Sequence, residues 1–308
     1  MNVIKSVYLI GLGAIGGAYA GRIQDSCPGC LKVVVDKERA ERYGKSGITI
    51  NGKAVRFDFV HPDEINEKAD LILIAVKQHH LTQTIEDIRG LAGPDTIILS
   101  LLNGISSEEI IGKEYGIDKM LYSFCVGTDT VRAGTDIHYT NLGRIVFGDR
   151  ADSESSPKVS AVRDFFDQAR VPYRIPENMM RELWWKFMMN VGLNQVSAVL
   201  RAPYGLFTTA GYARDLVTDA SREVMEISLK AGISLSEEDI KEHTRIVETL
   251  SPFGKTSMLQ DMEAGRKTEV DIFAGTVIEL GHKYGIETPV NDVLYKMIKA
   301  MEQMAGIE

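Results

Sequence analysis

The chain has 308 residues, 44% hydrophobic and 25% charged, which is an ordinary globular composition and long enough for two domains. A formal net charge of −8 argues against nucleic acid or an anionic membrane as the main partner. Three cysteines, Cys27, Cys30 and Cys125, are too few and odd in number for a disulfide framework and point to a reducing cytoplasm.

Val7 to Ile10 reads as a buried strand and residues 14 to 24 as a helix. Between them stands Gly11-Leu12-Gly13-Ala14-Ile15-Gly16, a GxGxxG turn in the setting that gives this motif its weight. The first glycine permits a tight turn, the second lets the backbone approach a pyrophosphate, and the third lets helix and strand pack closely. The helix N-terminus, with Ala14 and Ile15, then offers N–H groups to phosphates. The same stretch carries Ala18-Tyr19-Ala20, which looks like a signal-peptidase site, but the glycine turn accounts for it better.

Cys27-Pro28-Gly29-Cys30 invites a redox or zinc reading. Zinc needs about four ligands and no second CxxC exists, so a Pro-Gly turn flanked by cysteines is the simpler account. A second strand, Val33 to Val35, ends at Asp36, whose carboxylate can bond the ribose hydroxyls of NAD. Lys37, Arg39 and Arg42 follow at once and could hold the 2′-phosphate of NADP, so both cofactors stay open.

ITINGKAVRF, residues 48 to 57, reads as a hairpin turning at Asn51-Gly52. LILIAV at 71 to 76 and TIILSLL at 96 to 102 suit a parallel sheet buried on both faces, with a helix over 80 to 91. His79 and His80 are expected at a solvent-facing helix start. DIHYT and RIVFGD read as a hairpin that extends this sheet. An α/β domain is therefore expected over 1–176, with a doubly wound, mostly parallel sheet.

Residues 177–308 read as all-α, with helices over 178–200, 210–231, 236–250, 257–264, 269–284 and 290–303. The last has Thr288 as expected N-cap and Pro289 at its first position. The charge run over 232–246 reads as a solvated helix face. No stretch is long and apolar enough to span a membrane.

The first of these helices carries an unusual stripe. Lys186, Asn190 and Asn194 recur every fourth residue in a mostly apolar segment, and Ser197 lies near the same line. Asn is a poor mid-helix residue, so two beside one Lys suggest a polar wall facing a small molecule, or a buried polar network between helices. A lysine in an apolar pocket has its charged form destabilised, which suits it to proton transfer beside a nicotinamide.

The chain resembles the ketopantoate reductases, in order and over nearly its whole length. The resemblance is carried by GLGAIG, AVK at 75–77, NG at 103–104, ELWWKFMMNVGLNQ, and SMLQDMEAGRKTEVD at 257–271. It implies an N-terminal Rossmann domain and a helical C-terminal domain like that of 6-phosphogluconate dehydrogenase, with the active site in the cleft between them. It also implies hydride transfer from NADPH to 2-dehydropantoate, giving (R)-pantoate for pantothenate and coenzyme A synthesis. Lys186 corresponds to the catalytic lysine, and Glu269 to the glutamate beside it and the cofactor. Asn190 and Asn194 correspond to the substrate asparagines, and Ser257 to the serine on the substrate carboxylate. Lys77 and Asn103 correspond to residues lining the cofactor, with Asn103 also near the substrate. Read without the resemblance, Ser257 is equally an N-cap, and Glu269 an acid in a helix's first turn. Asp261 is expected to be structural.

Two departures favour a second reading. Asp36 stands where many relatives carry arginine, and Tyr204 aligns near the family's further asparagine. Both fit an NAD-dependent D-2-hydroxyacid dehydrogenase of the same fold, acting on branched or aromatic 2-keto acids. A dinucleotide-binding sensor without chemistry would not need both Lys186 and Glu269. The expected partner is a small 2-keto acid, with no nucleic acid, membrane or metal, and a homodimer is compatible.

Overall fold

A computed structural model describes residues 3–307. They fall into two compact units. One comprises the residues up to Asn103 with Ser107–Met179, the other Gly104–Ser106 with the residues from Met180 on. In chain order the first unit contains β1 (Val7–Ile10), α1 (Ala14–Ser26), β2 (Leu31–Val34), α2 (Lys37–Ser46), β3 (Ile48–Ile50), β4 (Lys53–Val55), β5 (Asp58–Val60) and β6 (Leu71–Ile74). There follow α3 (Leu81–Asp87), β7 (Ile97–Ser100), α4 (Ser107–Tyr115), β8 (Met120–Val126), β9 (Asp129–Ala133), β10 (Asp136–Asn141), β11 (Arg144–Gly148), α5 (Pro157–Ala169) and β12 (Tyr173–Arg174).

Eight strands form the main sheet in the order β12-β11-β8-β7-β6-β1-β2-β5. Neighbours in it are parallel except β8 and β11. The chain starts at β1, runs outward to β2 and β5, then returns to β6 and continues the other way through β7 and β8. That reversal leaves the carboxyl ends of β1 and β6 side by side, where ligands bind in sheets of this kind. The continuous apolar runs have a direct cause. Val7, Leu9, Leu71, Leu73 and Leu99 pack into a core on one face, while Tyr8, Ile10, Ile72, Ile74 and Ile98 pack into another.

One expected pairing is corrected. DIHYT and RIVFGD do not pair with each other: β11 joins the main sheet beside β8, whereas β10 pairs with β9 and β3 in a separate four-stranded sheet. The hairpin at Asn51-Gly52 forms with both residues at positive φ, but it too belongs to this second sheet. The sheet lies on α1 because Gly17 and Gly21 have no side chain there. A Cβ at Gly17 would sit 2.2 Å from Ile137 Cδ1, and one at Gly21 2.4 Å from Ile50 Cδ1.

Glu108, in the first turn of α4, is buried. Its carboxyl group accepts from the Ser107 hydroxyl at 2.8 Å and the Ser123 N–H at 3.3 Å. Burial outweighs those donors and pushes its pKa up to about 7. A raised folded pKa gives stability that is full below the unfolded pKa, near 4.5, and is lost as pH rises through about 7. Between pH 5 and 8 the wild type should therefore lose up to about 3 kcal/mol relative to Glu108→Gln. Urea unfolding at the two pH values measures this; parallel curves for both proteins would rule out Glu108 as the source.

In the second unit the elements are α6 (Met179–Met189), α7 (Gln195–Leu200), α8 (Gly205–Thr209), α9 (Gly211–Lys230), α10 (Glu237–Thr249), α11 (Ser257–Glu263), α12 (Ala274–Tyr284) and α13 (Pro289–Met304). The helix expected over 178–200 is interrupted by a π-helical turn at Asn190–Asn194. The helix expected from 269 starts at Ala274, after a 3-10 turn at Val270–Ile272. Pro289 does open α13, but the Thr288 side chain makes no capping bond. The buried Glu223 carboxylate, from α9, accepts from the Val290 and Asn291 N–H groups instead, at 2.8 and 3.0 Å. Among the described residues no helix is long and apolar enough to cross a membrane.

Candidate active site

The glycine turn is explained from inside the chain at two of its three glycines. Gly11 has φ +100°, and a Cβ there would lie 2.5 Å from the Ala75 carbonyl oxygen. At Gly16 a Cβ would lie 2.0 Å from the Gly11 oxygen. Gly13 differs. It caps α1 in an extended conformation open to any residue, and a Cβ would meet only Ala75 O at 3.9 Å. Nothing within the chain demands glycine at 13, so its missing side chain suits a ligand approaching from outside. With Ala14 and Ile15 opening α1, the turn fits the pyrophosphate of a dinucleotide.

Asp36 is exposed and caps α2, accepting from the Arg39 N–H at 2.7 Å, with Arg39 Nε 3.3 Å from its other oxygen. The carboxylate thus stands beside a guanidinium. A second guanidinium, that of Arg42, lies over the Tyr43 ring at 5.3 Å. Lys77 follows β6 and opens a 3-10 turn at Gln78–His80, with His79 and His80 exposed as expected. Asn103 is half-buried, and the unit boundary runs between it and Gly104.

In the second unit, Lys186 is half-buried on α6, and Asn190 and Asn194 are 6% and 7% exposed in the π turn. The turn changes their alignment. An α-helix drifts about 40° per four residues, so Asn194 would stand about 80° from Lys186. A π turn, at roughly 4.4 residues per turn, drifts about 30° the other way and returns Asn194 close to the line of Lys186. Gly192, on the inner side of the turn, lets α9 approach: a Cβ there would lie 2.4 Å from Ser221 Oγ and 2.9 Å from the Val217 oxygen. The Gln195 side chain donates to the Val191 carbonyl at 2.7 Å and to Asn291 Oδ1 at 3.0 Å, holding the turn from behind. Neither Asn190 nor Asn194 has its carboxamide hydrogen-bonded to a described residue. Two such groups, nearly buried, are what a ligand-binding wall requires and what a structural polar network would not leave.

Ser197 serves a different purpose from the wall. It donates to the Ala202 carbonyl at 2.7 Å and accepts from Thr256 Oγ1 at 3.1 Å, tying α7 to the start of α11. Thr256, not Ser257, is the N-cap, accepting from the Leu259 N–H at 3.2 Å. That corrects the capping reading of Ser257 and leaves its side chain exposed at the first helical position. Glu269 is 7% exposed and precedes the 3-10 turn rather than sitting inside a helix. Its position is held by Thr268, whose N–H and hydroxyl both donate to buried Glu302 at 2.7 Å. Asp261, 5% exposed, accepts from Arg266 Nε at 2.9 Å. Phe187, Val191, Met258 and Val270, the chain neighbours of Lys186, Asn190, Ser257 and Glu269, belong to one core.

His243 escapes a reading of the sequence because it lies in the charge run. That run is solvated only in part. Ile240, His243 and Val247 form a buried face of α10, a spacing of three and four residues that is available as a signal. Burial, and then the Lys186 cation, hold the imidazole down to about 4. It is neutral at working pH and close enough to Lys186 to feel its charge. Tyr204 donates its hydroxyl to the Lys255 carbonyl at 3.3 Å, and its backbone N–H donates to the Gly254 carbonyl at 2.9 Å.

Residues 7–152 match the family model described as ketopantoate reductase PanE/ApbA, and residues 178–302 match its C-terminal counterpart. A 2-dehydropantoate 2-reductase of Streptococcus pyogenes serotype M1 is 24% identical over 306 residues, covering 98% of this chain and 99% of that protein. One from Aquifex aeolicus is 24% identical over 308 residues, covering 97% and 98%. Among solved structures, 2-dehydropantoate 2-reductase from Geobacter metallireducens superposes with a TM-score of 0.84 at 22% identity, covering 96% of this chain and 99% of that one. D-mandelate dehydrogenase with NADH and anilino(oxo)acetate superposes with a TM-score of 0.86 at 22% identity, covering 98% and 100%.

Proposed function

The chain belongs to the ketopantoate reductase family, and from that premise we propose that it reduces 2-dehydropantoate to (R)-pantoate with a nicotinamide cofactor. The observation that carries the reading is the pair of nearly buried, unpartnered carboxamides of Asn190 and Asn194, aligned with Lys186 on one helix face.

The bound cofactor supplies the hydride. Gly11, Gly13, Ala14, Ile15 and Gly16 hold its pyrophosphate, Asp36 meets the adenosine ribose, and Lys77 and Asn103 line its remaining length. Lys186 donates a proton to the substrate's carbonyl oxygen, where negative charge develops as the keto carbon is reduced. Hydride and proton together convert the C=O to CH–OH. Asn190, Asn194 and Ser257 hold the substrate's carboxylate and hydroxyl without adding charge. Glu269 favours the charged form of Lys186 and offsets part of its desolvation.

Tyr204 and Asp36 favour a second reading, in which a D-2-hydroxyacid dehydrogenase takes an aromatic 2-keto acid with NADH. Arg39 beside Asp36 favours NADPH and the first reading. Initial rates with NADPH and NADH, against 2-dehydropantoate and an aromatic 2-keto acid, separate the two. The first reading predicts the highest kcat/KM for 2-dehydropantoate; a higher value for the aromatic acid would replace it with the second. The active form in this reading is a homodimer, as described for the Staphylococcus aureus ketopantoate reductase.

A further inference from the structure

Cys27 and Cys30 stand at the two ends of a tight turn. The Cys30 N–H donates to the Cys27 carbonyl at 3.3 Å, and Gly29 has φ +85°, as expected for the third position of a type II turn opened by Pro28. Such a turn brings its end residues within about 7 Å between Cα atoms, the range a disulfide spans. The turn is anchored on both sides: the Cys27 N–H donates to Ile23 O at the end of α1, and Cys30 O accepts from the Val7 N–H at the start of β1. Neither sulfur is in a disulfide in this structure.

The two sulfurs are not equivalent. Cys27 is half-exposed beside exposed Pro28 and Gly29, and its sulfur accepts from the Gln168 side-chain amide at 3.7 Å. Cys30 is 8% exposed. Burial, and then the Cys27 thiol, push the Cys30 thiol up to about 12, so it is a poor first nucleophile.

We propose that Cys27 and Cys30 form a dithiol site that undergoes exchange with low-molecular-weight disulfides, Cys27 attacking first and Cys30 resolving. The Cys27 thiolate attacks one sulfur of RS–SR, forming Cys27–S–SR and releasing one RS⁻. Cys30 then gives up its proton to solvent and attacks the Cys27 sulfur, closing Cys27–S–S–Cys30 and expelling the second RS⁻. The two cysteines lose two electrons and two protons, and the disulfide is reduced to two RSH. The turn lies at the amino end of β2, away from the glycine turn at the carboxyl end of β1, so the site is separate from the dinucleotide cradle.

The test treats the reduced full-length chain with oxidised glutathione at mild alkaline pH, followed by intact mass and peptide mapping. The expected product has lost two hydrogens, retains no glutathione, carries Cys27 and Cys30 linked, and reverts with dithiothreitol. Cys30→Ser should stop at a single glutathione on Cys27. Cys27→Ser should leave Cys30 unmodified while the chain stays folded by circular dichroism. The linked form should also melt a few degrees higher than the reduced form, because the closed loop constrains the unfolded chain. Glutathione retained on Cys27 in the unaltered chain, reaction confined to Cys125, or modification of Cys30 in folded Cys27→Ser would each overturn the proposal.

Discussion

Lys186→Ala is expected to lower kcat with 2-dehydropantoate by roughly 10²–10⁴-fold, the usual contribution of a positioned general acid. The lysine stands half-buried on α6, in line with two carboxamides and within electrostatic range of a buried neutral imidazole. Its removal deletes the proton donor without touching the glycine turn, so NADPH binding followed by fluorescence should stay within about threefold of wild type, under 1 kcal/mol. Lys186→Arg should be nearly as poor, because a guanidinium keeps its charge but does not release its proton at working pH. An alanine variant retaining a tenth or more of wild-type kcat would remove Lys186 from the role assigned to it.

Gly192→Ala is expected to destabilise the second unit and to raise KM together. The added Cβ would stand 2.4 Å from Ser221 Oγ and 2.9 Å from the Val217 carbonyl oxygen, and a backbone atom cannot rotate away. Overpacking of this kind costs about 1–3 kcal/mol, a fall of several degrees in Tm for a unit of this size. Because Gly192 lies inside the π turn, any relief moves Asn190 and Asn194, so substrate KM should rise more than cofactor KM. Ser221→Ala, which removes a buried hydroxyl without a hydrogen-bond partner, should be close to neutral alone. Added to Gly192→Ala it should recover part of the loss, since only the Val217 approach remains. A single Gly192→Ala variant with unchanged Tm and KM would mean that the turn does not depend on this contact.

The main sheet is legible in the sequence because each of its central strands buries both faces and so writes an unbroken apolar run. Gly11-Leu12-Gly13-Ala14-Ile15-Gly16 is legible because its setting, strand then helix, is local. The helices α2, α4 and α5 are harder to see, α2 because KERAERYGKS buries little besides Tyr43 and so has almost no apolar stripe. The second sheet is hidden because its pairings depend on Gly17 and Gly21 clearing space for Ile137 and Ile50, a tertiary fact. The same holds at the candidate site. A common helix face for Lys186, Asn190 and Asn194 can be read from spacing, but the π turn that aligns them, packed against α9 at Gly192, cannot. Capping is misread where a distant group replaces the local residue, as when Glu223 caps α13 across 67 residues of chain. His243 is lost because charged neighbours mask the period of the buried face it shares.

Hydride transfer to the keto carbon of 2-dehydropantoate can be followed directly. The most direct measurement supplies the purified chain with NADPH deuterated at the transferable position of C4 and follows the product by mass spectrometry and chiral analysis. One deuterium is expected at C2 of (R)-pantoate, formed in step with cofactor oxidation and slowed by roughly 10²–10⁴-fold in Lys186→Ala. Pantoate without deuterium, or no pantoate with either nicotinamide cofactor, would contradict it.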